Sequence, residues 1–148
     1  MTEAPTAGRI GHDGVHHLPI RVYYEDTDAA GIVYYANYLK FIERARSDLL
    51  RLIGVTHLAL AAEAGLAFVV RRCAVTYRKP ARLDDELDVQ TRIQRIRGAV
   101  LDAKQSVHRG EERLVDTDLR IACIGGDGNA RPLPERVHRA LAALVPQS

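Results

Sequence analysis

The sequence predicts an α+β fold: one long, curved antiparallel sheet wrapped around a single central helix, with a short C-terminal helix. Three observations predict it. A helical period runs over residues 35–53, four long strand-period segments follow it in succession, and nothing else in the chain is apolar and long enough for those strands to wrap. At 148 residues the chain accommodates one domain with a substantial core and not two ordinary ones. No period of roughly 20–50 residues recurs, which excludes repeat architectures.

Residues 1–17 are rich in Gly, Ala, His and Thr without periodicity and read as a flexible tail, leaving residues 18–148 as the domain. His12, His16 and His17 are then solvated tail residues rather than metal ligands. The β-branched and aromatic run at residues 20–25 reads as a strand that ends in the turn-prone segment 26–31. From Tyr35 the period changes. Tyr38, Phe41, Ile42, Ala45, Leu49 and Leu52 share one helical face, while Lys40, Glu43, Arg44, Ser47, Asp48 and Arg51 occupy the other. Gly54 ends that helix. A second helix covers residues 57–64, with Thr56 as its N-cap and Gly65 as its terminator.

Strands follow. Residues 66–78 carry Val69, Cys73, Val75 and Tyr77 on one parity. Leu87, Val89, Thr91 and Ile93 alternate with Asp88, Gln90, Arg92 and Gln94, the clearest half-buried strand in the chain. Past the turn at Arg97 and Gly98, Leu101, Ala103, Gln105 and Val107 form one face. Past the turn at Gly110, Val115, Thr117, Leu119, Ile121 and Cys123 form another. A glycine-rich stretch at residues 125–129 closes the sheet, and Pro134 opens the C-terminal helix.

The composition is 47% hydrophobic and 27% charged, a globular mix that excludes disorder, collagen and disulfide miniproteins. A net charge of +2 demands no nucleic-acid or anionic-membrane partner. Of the 21 basic residues only Lys40, Lys79 and Lys104 are lysines; the arginine excess reads as compositional bias, with a few arginines left as phosphate ligands. Cys73 and Cys123 read as two buried thiols in a reducing compartment. The N-terminal residues hold no apolar run and no stretch reaches transmembrane length, so the expected location is the cytoplasm, with no membrane segment.

The most unusual segment is residues 24–31, with Glu25, Asp26 and Asp28 at a strand-to-helix junction. A calcium loop counted from Asp26 would need an oxygen ligand at Ala30 and a glutamate at Asn37, and fails at both. A phosphatase-type acidic motif fails at Ala30, and a glycosyltransferase DxD lacks its nucleotide-binding domain. No metal is expected. A carboxylate just ahead of a helix N-terminus lies beside free backbone amides and the positive end of the helix dipole. Such amides polarise a substrate carbonyl, and the carboxylate attacks it or activates a water. The alternative is that Asp26 and Asp28 only cap the turn and the helix.

The stretch YEDTDAAGIVYYANYLKFIERAR at residues 24–46 resembles the signature of the hot-dog-fold acyl-CoA thioesterases, specifically the 4-hydroxybenzoyl-CoA thioesterase family and its Tol–Pal-associated branch. The resemblance continues through FVVRR at 68–72, VTYRKPARLDD at 75–85 and Arg97–Gly98, and covers about residues 19–140.

The resemblance implies hydrolysis of acyl-CoA to a carboxylic acid and free thiol, without a cofactor beyond the coenzyme A of the substrate. It places the catalytic carboxylate on Asp28 and the carbonyl-polarising amide on Tyr35, seven residues later. Much of the Tol–Pal-associated branch carries His where this chain has Tyr35; the backbone donor survives that change and an imidazole role does not. Gly31, Tyr34, Val69 and Val70 are expected at the substrate, and Arg95 and Arg97 at the coenzyme A phosphates, with Arg71 and Arg72 able to serve the same end across a subunit interface. Glu43 and Arg46 read as an i,i+3 ion pair. A homodimer or homotetramer is implied, each site taking Asp28 from one chain and binding groups from the next, with acyl carrier protein as a further candidate partner. Two rival readings are a non-catalytic acyl-CoA or acyl-carrier-protein binding module and a hot-dog dehydratase. The dehydratase would need a histidine in the site, from His57 or His108.

Overall fold

The computed structural model of the protein describes residues 8–146. Its central element is α1 (Asn37–Leu52), whose apolar stripe of Tyr38, Phe41, Ile42, Ala45 and Leu49 is buried. Leu52, expected on that stripe, is partly exposed at the helix end. Thr56 caps α2 (His57–Ala64), its hydroxyl accepting from the Ala59 amide at 3.0 Å, and Gly65 closes that helix in the left-handed region at φ 65°.

Around α1 curls a six-stranded antiparallel sheet. Its strands are β1 (Arg9–Ile10), β2 (His16–Arg21), β3 (Ala67–Tyr77), β4 (Glu86–Arg97), β5 (Val100–Arg109) and β6 (Glu112–Ile124), in the spatial order β1-β2-β4-β5-β6-β3. The inward residues of β4, β5 and β6 are those the alternation predicts: Val89, Thr91 and Ile93, then Ala103, Gln105 and Val107, then Val115, Thr117 and Leu119, all buried. The last helix, α3 (Glu135–Ala142), covers one end of the core with Val137 and Leu141. No helix among the described residues is long and apolar enough to cross a membrane.

Four expectations need correction. The tail boundary at residue 17 falls too late: residues 8–17 include β1 and the start of β2, and His16 is fully buried against Asp48. Residues 1–7 of the expected tail lie outside the described residues. The first strand ends at Arg21 rather than at residue 25, because Tyr24–Asp26 winds into a 3₁₀ turn. Cys73 is exposed, unlike buried Cys123, because β3 is the last strand of the sheet and much of its length is uncovered. Alternation along β3 is also interrupted, since the register with β6 slips between Val70 and Arg72 and leaves Arg71 as a bulge.

Candidate active site

The acidic segment forms a small hairpin that folds back on the start of α1. Thr27 pairs with Val33, the Asp28 amide donates to the Ile32 carbonyl at 2.9 Å, and Gly31 takes a φ of 77° that a side chain would resist. The far arm is stitched to residues 81–82: the Val33 amide donates to the Ala81 carbonyl at 2.8 Å, and Ile32 bridges Arg82.

The two aspartates separate in role. Asp26 is structural at both ends. Its carboxylate accepts from the Tyr23 amide at 2.8 Å, and its carbonyl accepts from the Tyr34 amide at 3.0 Å and from Asn37 Nδ2 at 2.9 Å. That set ties the hairpin to the first residue of α1. Asp28 is exposed; Oδ1 accepts from the Ala30 amide at 2.9 Å in a local turn, and among the described residues Oδ2 has no recorded partner. The capping alternative therefore describes Asp26 fully and only one oxygen of Asp28.

The helix start is left open in a complementary way. Ala36 stands at the N-cap, where no side chain accepts a hydrogen bond from the first turn. The Tyr35 and Ala36 amides donate to nothing recorded among the described residues. They are donors at the positive end of a 16-residue helix, available to an incoming oxygen. Tyr34 and Tyr35 sit with ring centroids 4.9 Å apart beside this point. The Tyr34 phenol is held above its ordinary range, first by the adjacent Tyr35 phenol, with the nearby Asp28 charge acting in the same sense. Asp28, Gly31, Tyr34 and Tyr35 thus gather at one end of the molecule.

Val69 and Val70 are not part of that gathering. They line a groove of about 230 Å³ with Phe68, Glu43, Arg46 and His57, on the far half of α1. Arg46 lies nine residues beyond Asn37, about 14 Å along the helix axis. The expected Glu43–Arg46 ion pair is not formed, because Arg46 turns inward and donates to Gln105 Oε1 at 3.1 Å. Arg95 and Arg97 are exposed at the end of β4; Arg95 stands opposite Asp102, which Arg120 engages at 3.0 Å. Arg72 lines the same outer-face groove as Arg95 and Arg120. Of the two histidines of the dehydratase reading, His108 pairs with Ser106 Oγ at 2.8 Å away from this point, whereas His57 pairs with Ser47 Oγ at 3.1 Å and lines the Val69–Val70 groove. No cluster of three His, Cys, Asp or Glu side chains among the described residues is arranged to hold a metal.

Residues 30–115 match the family model of the thioesterase superfamily. The chain belongs to that superfamily. It is 43% identical over 112 residues to the acyl-CoA thioesterase YbgC of Haemophilus influenzae, covering 76% of this chain and 82% of that protein. It is 47% identical over 107 residues to the acyl-CoA thioester hydrolase YbgC of Escherichia coli, covering 72% and 79%. Among solved structures, a probable thioesterase from Bartonella henselae superimposes with a TM-score of 0.79 at 41% identity, covering 81% of this chain and 99% of that one. The helix-in-sheet architecture is therefore the hot-dog fold of thioesterases. Within the superfamily match lie Tyr35, both valines and both arginines, whereas Asp28 stands two residues ahead of it.

Sequence reasoning missed two contacts that shape this site and one irregularity of β3: the Asn37 side chain on the Asp26 carbonyl, the Tyr77 hydroxyl, which donates to the Tyr35 carbonyl at 3.2 Å, and the bulge at Arg71. Asn at a helix start was a readable signal for the first. Nothing local announces the other two, which depend on residues about 40 positions apart or on strand register.

Proposed function

We propose that Asp28 and the open amides at the start of α1 carry out acyl-CoA hydrolysis. The chain is a thioester hydrolase acting on acyl-CoA, an activity supported by its 43–47% identity to acyl-CoA thioester hydrolases. The observation that carries the residue assignment is the pairing of one uncommitted carboxylate oxygen with an uncapped helix N-terminus at the same loop. The thioester carbonyl is set on the Tyr35 amide, where the developing oxyanion meets backbone donors and the helix dipole. Asp28 then either attacks the carbonyl, expelling the coenzyme A thiolate and forming a mixed anhydride that water hydrolyses, or takes a proton from a water that attacks the carbonyl and expels the same thiolate. Rapid-quench mass measurement of an acyl adduct on the protein separates the two routes.

A single chain does not bring Val69 and Val70 to Asp28, and β3 ends the sheet with an uncovered edge. We infer a homodimer, alone or within a tetramer, in which a second copy offers its β3 groove to the Asp28 hairpin. Arg95 and Arg97 would meet the phosphates of coenzyme A, and acyl carrier protein is a second possible thioester donor. From such substrates we infer a cytoplasmic location. Release of free thiol from a panel of acyl-CoAs, by the wild type and by Asp28→Asn, tests the assignment; sedimentation at equilibrium tests the assembly, and a fully active monomer would sink it.

A further inference from the structure

Resting on the reading that the α1 N-terminus holds the thioester carbonyl, we propose that Tyr77 is a positioning residue for the oxyanion-binding amides. A helix start that leaves its amides for a ligand gives up the side-chain cap that would ordinarily fix it, and Ala36 supplies none. Something else must hold the peptide planes there. From the loop side, Asn37 Nδ2 and the Tyr34 amide converge on the Asp26 carbonyl at 2.9 and 3.0 Å. From the sheet side the contact is Tyr77, the last residue of β3, whose hydroxyl donates to the Tyr35 carbonyl at 3.2 Å.

That carbonyl belongs to the peptide plane whose N–H is Ala36, the residue after the proposed donor. Fixing it sets the direction of the Ala36 N–H and limits rotation of Tyr35 as a whole. The bond also polarises this peptide in the sense that strengthens its N–H as a donor. The ring is held in turn. Tyr77 meets Tyr35 edge-on with centroids 6.0 Å apart at 89°, and lies 5.8 Å from Tyr38, whose own hydroxyl accepts from the Ala81 amide at 2.9 Å. Tyr38 is buried, so the hydroxyl of Tyr77 is presented by a ring leaning on the core rather than by a freely rotating side chain. Among the described residues no other hydrogen bond reaches the Tyr35 backbone, while the peptide plane that carries the Tyr35 N–H is held through the Tyr34 carbonyl, which accepts from the Asn37 amide at 2.8 Å.

Tyr77→Phe removes the hydroxyl and keeps the ring contacts. Its kcat on a short acyl-CoA should fall about 3- to 10-fold while KM and the melting temperature stay at wild-type values, because the donors lose alignment without loss of substrate contacts or packing. Tyr77→Leu, which also removes the ring, should lose more in kcat and some thermal stability. An unchanged kcat in Tyr77→Phe overturns the inference, as does a fall in kcat matched by a rise in KM or by a lower melting temperature. Wild type and Asp28→Asn measured alongside keep the two readings apart. An active wild type, an inactive Asp28→Asn and an unaltered Tyr77→Phe remove the role of Tyr77 alone. A wild type that releases no thiol from any acyl-CoA removes the functional reading and this one together.

Discussion

His16 Nε2 and Asp48 Oδ2 lie 2.7 Å apart inside the protein, joining the first long strand to the polar side of the central helix. The same carboxylate oxygen accepts from the Gly8 amide at 2.8 Å, so one buried carboxylate holds the β1–β2 hairpin at two points, just ahead of β1 and at the start of β2. Arg51 approaches Asp48 at 3.8 Å from the outside, while His17 and Asp88 lie beyond the histidine. Among the described residues His16 Nδ1 is buried with no hydrogen-bond partner. A second proton on this ring would therefore have nowhere to donate.

This geometry fixes the sign of a pH effect. Burial is the largest influence on His16 and pushes its pKa below the ordinary 6.5, outweighing the hydrogen bond and charge of Asp48. As pH falls below 6.5 the unfolded chain takes up a proton that the folded chain resists. The stability present above pH 6.5 is accordingly lost on acidification, by at most about 1.4 kcal/mol per pH unit for one group. His108 is lowered in the same direction, also mainly by burial. Urea unfolding between pH 7 and 5 should show a shallower decline in His16→Gln than in wild type, with a residual slope left from His108. Parallel slopes in the two proteins would count against the buried pair as the origin.

Asp28→Asn should lower turnover by about 100-fold or more and leave the melting temperature unchanged. The substitution keeps the Oδ1 that accepts from Ala30, and the side chain is exposed, so no folding cost is attached to it. Asp26 makes the contrasting case. Asp26→Ala removes the acceptor for the Tyr23 amide and should cost about 1 kcal/mol of stability. Equal losses of turnover without destabilisation in both variants would mean that the division of labour between the two aspartates is wrongly drawn.

How far these roles could be read from the chain itself depended on the range of the interactions. The inward parities of β4, β5 and β6 were legible because burial on one face imposes a period of two on the residues themselves. The Thr56 cap and the Gly65 stop were equally local and equally legible. His16 and Cys73 were misjudged for one reason: their surroundings come from partners at a distance in sequence. His16 is buried by a helix 32 residues later, and Cys73 is exposed because β3 is the last strand of the sheet, with no strand on its outer edge among the described residues. The acidic hairpin could be recognised as unusual, but the separation of Asp26 from Asp28 lies in the bonds that Asp26 accepts from the Tyr23 and Tyr34 amides, which no spacing rule encodes.

Gln105 supplies a stability test in the core. It is buried among apolar neighbours, and each end of its amide is engaged: Nε2 donates to the Ile42 carbonyl and to Thr91 Oγ1, both at 2.9 Å, and Oε1 accepts from Arg46. Gln105→Leu matches the apolar parity of its strand, yet should destabilise by about 1–3 kcal/mol. It strips a half-buried guanidinium of its acceptor and leaves the Thr91 hydroxyl without its donor. Urea unfolding measures this directly, and a neutral or stabilised variant would show the network to be dispensable.

The arginine excess yields the last test, because it asks whether two exposed guanidinium groups have a ligand. Asp102 is hydrogen-bonded to Arg120 at 3.0 Å, and its carboxyl is held below the usual range first by that bond, with the Arg95 and Arg97 charges acting in the same sense from beyond ion-pair distance. Arg97 has no ion-pair partner among the described residues and ends β4 beside the Gly98 turn. A phosphate contact from either should show as binding rather than chemistry. Arg97→Ala should raise KM for an acyl-CoA about 5- to 10-fold with kcat unchanged, and Arg95→Ala should do so more weakly. The same acyl group carried on pantetheine, which lacks the nucleotide phosphates, should give equal KM values for wild type and both variants. Added salt should raise the wild-type KM for the CoA ester and move the variants less, since screening removes an attraction they have already lost. If the arginine variants lose as much on the pantetheine ester as on acyl-CoA, their role lies in the sheet and not at the nucleotide.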